Sequence, residues 1–219
     1  MGIVTNRRSV MTLYSDSGLK SHRVRIVLAE KGVPYDLVKV DAAQKNRYEE
    51  LLELNPYGIV PTLLDRDLAL YEPGIITEYL DERFPHPPLM PVYPVARAKA
   101  RIIMYRFDQD WMPLTHKLNT SSNPQERKAV LREIASYLIQ LLPVFHANRY
   151  FLGDEFSLVD CCIAPLLWRL PAWGITFSAQ DDKMLKKYRD RVFDRDAFQA
   201  SLTETEIEMK RLTKEDVVA

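Results

Sequence analysis

Few side chains in this sequence have the chemistry of a metal ligand or a redox centre, and they form no motif. His22, His116 and His146 are scattered, and no group of histidine, cysteine and carboxylate residues has the spacing of metal ligands. We therefore predict no metal site. Cys161 and Cys162 are adjacent, and neighbours on a helix point roughly 100° apart, which is a poor placement for a mutual disulfide. A sequence without a disulfide framework is typical of a reducing compartment.

The most unusual stretch is residues 85–94, which contain five prolines together with His86 and Tyr93. Proline has a fixed φ and no N–H, so this stretch is predicted to be a stiff linker between two domains. Stiffening alone would explain most of the prolines. A rigid segment also loses little entropy when it binds, and tyrosine is favoured at interfaces, so a docking surface is the second interpretation. His86 is a candidate pH sensor, although a lone histidine is usually only a hydrogen-bonding residue.

The overall charge argues against one class of function. The sequence has 30 basic and 30 acidic residues, whereas a protein that binds nucleic acid without sequence preference usually has a basic excess. Direct DNA binding is therefore not expected. Hydrophobic residues make up 47% of the 219 residues, which is enough for a real core. No apolar run approaches the ~18 residues of a membrane span, and no leader-like apolar region follows the N-terminus, so we expect a cytoplasmic protein with no membrane segment.

The first half of the sequence alternates short strands and helices. Hydrophobic periodicity and turn residues predict the order strand, helix, strand, helix, strand, strand, helix. A strand–helix–strand unit implies parallel pairing, and the hairpin that follows adds an antiparallel piece, which together make the thioredoxin arrangement. The predicted strands are 10–14, 35–40, 60–64 and 68–71, and the predicted helices are one that ends at Gly32 and two at 48–54 and 75–84.

The second half is predicted to be entirely helical. Asn123 stands three positions before Glu126, and Ser157 stands three before Asp160, so both pairs are predicted capping boxes. The helix after Asp160 is apolar nearly all round and is predicted to be central. The predicted helices are 95–118, 123–145, 161–170, 181–193 and 203–212. The fold class is therefore α/β plus all-α, with domains at 1–84 and 95–219 joined by the proline-rich linker at 85–94.

Four short motifs occur in the order and spacing of the glutathione transferase superfamily, which the chain resembles over nearly its whole length. They are Arg23-Val24-Arg25-Ile26, Asn55-Pro56, Val60-Pro61 and Phe156-Ser157-Leu158-Val159-Asp160. Three longer stretches, residues 28–32, 79–97 and 164–171, look like the bacterial stringent starvation protein A family. The resemblance implies a thioredoxin-like N-terminal domain followed by a helical C-terminal domain, which is the glutathione transferase fold.

Members of that family are homodimers that bind RNA polymerase and alter promoter use in starvation, acid stress and phage development, without transferase activity. The resemblance therefore implies a non-enzymatic transcription regulator whose partners are RNA polymerase holoenzyme and a second copy of the chain. In the family, the proline-rich segment forms a surface pocket that transcription activation needs. By that likeness, the partner-binding residues of this chain are Pro85, His86, Pro87, Pro88, Tyr93 and Arg97.

The glutathione site that the superfamily implies is only partly present. The superfamily needs a hydroxyl or thiol where the first strand meets the first helix, to stabilise the glutathione thiolate, but Gly18 occupies that slot. Glu72 of an acid-plus-serine pair is kept, whereas Pro73 replaces the serine and has neither hydroxyl nor N–H. The kept residues Val60, Pro61 and Glu72 would then form a vestigial site, and we predict no catalytic residue and no bound cofactor.

Two other functions stay open on the sequence. Ser15, Ser17 and Ser21 lie near Gly18, and one of them could replace the missing hydroxyl in a glutathione-dependent transferase or peroxidase. Turn serines commonly satisfy turn and cap hydrogen bonds, so we favour that structural role for all three. The remaining alternative is a structural partner that forms heterodimers with another transferase-like chain.

Overall fold

The computed structural model describes residues 10–40 and 45–215 of the chain. The chain forms two compact units. The first unit runs to Pro87 and also includes Ala200–Leu202, and the second unit consists of Pro88–Gln199 and the residues from Thr203 onward. Residues 200–202 therefore return to the first unit, which no local sequence pattern predicts.

The first unit contains one mixed sheet. Its elements are β1 (Met11–Ser15), α1 (Leu19–Glu30), β2 (Tyr35–Lys39), α2 (Lys45–Leu54), β3 (Thr62–Asp65), β4 (Leu68–Tyr71) and α3 (Pro73–Arg83). The four strands lie in the order β2-β1-β3-β4, with β1 and β2 parallel and the other two pairings antiparallel. The predicted thioredoxin-like order of strands and helices is confirmed. β3 begins two residues later than predicted, because Pro61 has no N–H to donate to a strand ladder.

The second unit is helical, with one interruption that the sequence did not predict. Its elements are α4 (Pro94–Arg106), a π-helical turn (Phe107–Trp111), α5 (Met112–Thr120), α6 (Pro124–Ala147), α7 (Leu158–Arg169), α8 (Ala179–Phe193), α9 (Asp196–Ala200) and α10 (Glu204–Glu215). The prediction of one continuous helix at 95–118 was wrong, because the π-helical turn divides it. Pro113 follows in the first turn of α5, where proline is tolerated. The short helix α9 was also missed.

α7 is the centre of the second unit, as its apolar sequence predicts. Every residue of α7 is buried. The predicted capping box of Ser157 and Asp160 is confirmed at the start of this helix. Asn123 caps α6 as predicted, but Glu126 accepts a hydrogen bond from the Ser121 hydroxyl at 2.5 Å and does not close the predicted box.

The Asp160 carboxylate ties α7 to two other parts of the second unit. One oxygen accepts hydrogen bonds from the Phe151 N–H at 2.8 Å and the Tyr188 hydroxyl at 2.6 Å, and the other accepts from the Ser157 N–H and hydroxyl at 2.9 and 2.7 Å. Burial raises the pKa of Asp160 above its ordinary value, against these hydrogen bonds, which lower it. Four donors around a buried carboxylate make this cap a structural centre rather than a surface feature.

A buried arginine explains why residues 200–202 belong to the first unit. The Arg25 guanidinium is buried and donates to the Ser201 carbonyl at 2.9 Å. The His22 ring nitrogen Nε2 lies 3.0 Å from the Ser201 hydroxyl. Buried polar groups need such partners, so the returning segment satisfies groups that α1 places in the core of the first unit.

Candidate functional site

The corner between β1 and α1 is shaped by Asp16. Gly18 is the N-cap residue of α1 and has an ordinary backbone φ of −73°. The Gly18 N–H donates to the Asp16 carboxylate at 2.9 Å. A Cβ atom at position 18 would lie 3.0 to 3.3 Å from the atoms of that carboxylate. Gly18 therefore leaves room in this turn for the Asp16 carboxylate.

Two of the three nearby serines take part in the turn itself. Ser15 is buried, and its hydroxyl accepts a hydrogen bond from Arg25 at 2.8 Å and donates to the Asp16 carbonyl at 3.2 Å. The buried Ser21 hydroxyl accepts from the Asp16 N–H at 3.2 Å. These are turn and cap interactions of the kind that the sequence predicts. Ser17 is exposed.

Val60, Pro61 and Glu72 are the residues of the vestigial site that the sequence predicts, and Pro73 follows them. The Val60–Pro61 peptide bond is cis. Glu72 is exposed and is the N-cap residue of α3, with φ 68° and ψ 118°, a strained conformation for a residue with a side chain. Pro73 is the first residue of α3, so neither a hydroxyl nor an N–H is offered there. A carboxylate ligand would lose both of these donors.

The first unit contributes the beginning of the proline-rich segment, residues 85–94. Pro85, His86 and Pro87 are all exposed, and the His86–Pro87 peptide bond is cis. The Lys31 ammonium group donates to the Pro87 carbonyl at 2.5 Å and forms an ion pair with Asp81 at 2.6 Å. The exposed side chains of this stretch are therefore attached to a backbone that the buried Lys31 ammonium group holds at Pro87.

The second unit contributes the rest of the segment. Pro88 is exposed, whereas Leu89 and Met90 are buried, and the Leu89 carbonyl accepts a hydrogen bond from the Leu158 N–H at 2.9 Å. Tyr93 is the N-cap residue of α4 and is 77% exposed. Large side chains that reach solvent at this end of the unit are Val92, Tyr93 and Val95, and the predicted site residue Arg97 is half-buried.

Sequence reasoning missed the pair that holds this segment. The sequence predicts the helix end at Gly32 but assigns no role to Lys31 or Asp81. Neither residue has a local pattern that reveals burial, because they are separated by 50 positions and meet only in the folded first unit. A charged residue inside an otherwise apolar helix face is the one signal that could have suggested them.

The remaining candidate residues lie apart from this segment in the sequence. His116 and His146 are exposed, while His22 is buried and bonds Ser201. Among the residues that the structure describes, no three His, Cys, Asp or Glu side chains are grouped so that they could hold a metal ion. Within the same ranges, every helix is too short or too polar to cross a lipid bilayer.

Comparison with known proteins identifies the class of protein that has this fold. The models of the N-terminal and C-terminal domains of glutathione S-transferase match residues 9–82 and 102–196. A solved Tau class glutathione S-transferase from mango has a TM-score of 0.78 at 23% sequence identity, and the match covers 94% of this chain and 98% of that one. The chain therefore has the glutathione transferase fold, with a thioredoxin-like domain followed by a helical domain.

The curated relatives narrow the class to one family. A stringent starvation protein A homolog from Pasteurella multocida is 52% identical over 203 residues, which cover 92% of this chain and 94% of the relative. A probable maleylacetoacetate isomerase from Caenorhabditis elegans is 30% identical over 185 residues, which cover 80% of this chain. The chain belongs to the stringent starvation protein A family.

Proposed function

We propose that this chain is a non-enzymatic transcription regulator that binds RNA polymerase holoenzyme in starvation or acid stress. It acts in the cytoplasm as a homodimer and docks through the proline-rich segment. The observation that carries the proposal is the exposure of Pro85, His86, Pro87 and Pro88 on a backbone held by a buried ammonium group. A segment ordered before binding loses little entropy when its partner arrives.

The chemistry of the β1–α1 corner supports a role without catalysis. Gly18 offers no side chain, and Pro73 offers no donor. The hydroxyls of Ser15 and Ser21 are engaged in the turn. A thiolate in this corner would find few groups to stabilise it, so binding and activation of glutathione are both disfavoured.

An enzyme remains the second candidate because one observation favours it. Glu72 keeps a strained backbone conformation at the start of α3, and such strain persists mainly where a ligand needs it. Ser17 is exposed beside Gly18 and is the serine we would test as a replacement hydroxyl. Retention on immobilised glutathione, followed by turnover of an aromatic halide that Ser17→Ala abolishes, would establish this function in place of the first.

The docking site is tested by exchanging its exposed side chains. The variant Pro85→Ala, His86→Ala and Pro87→Ala is expected to fold normally and to lose co-purification with RNA polymerase from a stationary-phase lysate. The matched control replaces the same residue types at exposed positions of the second unit, Pro143→Ala, His146→Ala and Pro171→Ala. Unchanged co-purification of the first variant would contradict this assignment of the site.

A further inference from the structure

A fully buried ammonium group holds the backbone of the proline-rich segment in the first unit. The Lys31 Nζ atom lies 2.6 Å from Asp81 Oδ1 and donates a second hydrogen bond to the Pro87 carbonyl oxygen at 2.5 Å. The Lys31 side chain is 0% exposed and the Asp81 side chain 7% exposed. Lysine has three N–H donors and no acceptor, so one ammonium group can serve a carboxylate and a carbonyl together.

The position of Lys31 follows from the way α1 ends. Lys31 is the C-cap residue, and Gly32 follows it with φ +61°. The Gly32 N–H donates to the Ala29 carbonyl at 3.0 Å, and the Val33 N–H donates to the Leu28 carbonyl at 3.1 Å. This pair of bonds is a Schellman motif, which fixes the backbone at the helix end. The backbone position from which the Lys31 side chain extends is therefore fixed.

The proline-rich segment has few means of fixing itself. Pro85, Pro87 and Pro88 have no N–H, so this stretch of backbone offers carbonyl acceptors and almost no donors. Water can satisfy such carbonyls, but a donor from another part of the unit is needed to hold them in one position. Lys31 is that donor for Pro87.

Stability alone does not account for the ion pair. Taking two charges out of water costs about as much free energy as their attraction returns. Asp81 also lies in the last turn of α3, where the helix dipole disfavours an acid. The distinct contribution of the pair is a charge-assisted hydrogen bond to one backbone carbonyl, which fixes direction as well as distance.

We infer that Lys31 and Asp81 form a positioning pair that holds the proline-rich segment in the conformation its partner binds. The pair is buried and acts through the Pro87 carbonyl, which places the neighbouring exposed His86. The inference rests on the proposed function for the identity of the partner. The ordering of the segment is a property of the free chain and can be measured without the partner.

The test separates stability from positioning by comparing a single and a double variant. Lys31→Met alone removes the ammonium group from the buried Asp81 carboxylate, so its unfolding midpoint is expected to fall. Lys31→Met with Asp81→Leu removes both charges, and its unfolding midpoint is expected to return close to that of the native chain. The double variant nevertheless lacks the hydrogen bond to Pro87. The NMR order parameter of its His86 backbone N–H is expected to fall below that of the native chain, and its affinity for RNA polymerase to fall about tenfold.

Two further variants keep the test decisive. The variant Lys31→Gln with Asp81→Asn is used if the apolar pair fails to fold. Its two neutral side chains can hydrogen-bond each other, but glutamine is shorter than lysine and is not expected to reach the Pro87 carbonyl. The same measurements are made on it. Tyr79→Phe is the matched control, because it removes a 2.6 Å hydrogen bond from the same helix to Asp65 of β3. The control is expected to leave the His86 order parameter and the polymerase affinity unchanged.

Each outcome bears on one claim. A native His86 order parameter in the double variant would overturn the positioning role, and a lower order parameter with native affinity would overturn its importance for docking. Normal polymerase binding by the triple alanine variant would instead contradict the proposed docking site. The order-parameter measurement would still decide whether Lys31 orders the segment, so the two failures are distinguishable.

Discussion

The types of two residues, Gly18 and Pro73, limit the hydrogen bonds that glutathione could form at the β1–α1 corner. A ligand that binds only the folded chain raises its unfolding temperature, so thermal shift reports glutathione binding directly. We expect no rise for the native chain at millimolar glutathione. Pro73→Ser returns a hydroxyl and an N–H to the start of α3 and is expected to produce a measurable rise, while Pro171→Ser, at an exposed proline, is not. A clear rise for the native chain would show that the corner still binds glutathione.

A second residue-scale prediction concerns Tyr79, whose hydroxyl donates to Asp65 at 2.6 Å. Burial, with the hydrogen bond to Asp65 and its negative charge, raises the pKa of Tyr79 from 10.0 to about 12. The folded chain keeps this proton to a higher pH than the unfolded chain does. The resulting contribution to folding stability is complete below pH 10 and is lost as the pH rises to about 12.

An ultraviolet titration of tyrosinate checks this prediction. Burial also raises the pKa of Tyr188, so the native chain is expected to show more than one tyrosine that ionises late, and Tyr79→Phe is expected to reduce this late component by one tyrosine. Tyr105→Phe is the matched control, because the Tyr105 side chain is 64% exposed, and the late component should survive that change. A late component that Tyr79→Phe leaves unchanged would show that Tyr79 does not contribute to it.

Single residues also show how far sequence can predict a site. The residue types at positions 18 and 73 are visible in the sequence, so it shows directly that Gly18 has no side chain and that Pro73 has neither hydroxyl nor N–H. The roles of Lys31 and Asp81 are not visible, since their meeting depends on how α1 packs against α3. A site defined by contacts between distant residues needs the fold before it can be recognised.

At the scale of elements, the cap of α7 is expected to contribute far more stability than the cap of α6. Asp160→Ala removes the acceptor for four buried hydrogen bonds and should lower the free energy of unfolding by about 3–5 kcal/mol. Asn123→Ala removes an exposed cap and should cost about 1 kcal/mol. Denaturant unfolding of both variants measures the difference. Equal losses would show that the Asp160 network is not the structural centre described here.

Elements with a strong local period were predictable, and those set by tertiary contacts were not. The strands and helices of the first unit follow from their hydrophobic alternation and turn residues. The π-helical turn Phe107–Trp111 has the same 3–4 spacing of apolar residues as an α-helix, so periodicity could not reveal it. The return of residues 200–202 depends on Arg25 bonding Ser201, 176 positions away, and no local pattern spans that distance.

At the scale of the whole molecule, the proposed homodimer is open to a direct measurement. Light scattering of the purified protein is expected to give twice the mass of one chain across a range of concentrations. Mixing with another transferase-like chain is expected to leave that mass unchanged. A monomer that dimerises only when such a partner is added would favour the heterodimer alternative over the proposed one.

The balanced charge of the chain predicts how it reaches a promoter. With 30 basic and 30 acidic residues, it has no excess positive charge to release counterions from DNA. In a gel-shift assay at about 50 mM salt, where non-specific electrostatic binding is strong, the chain alone is expected to leave promoter DNA unshifted. When RNA polymerase holoenzyme is bound to that DNA, adding the chain is expected to slow the migration of the complex further. The triple alanine variant at residues 85–87 is expected to leave the migration of the complex unchanged. A shift of free DNA by the chain alone would mean that it contacts promoters directly, and polymerase would then not be needed to bring it there.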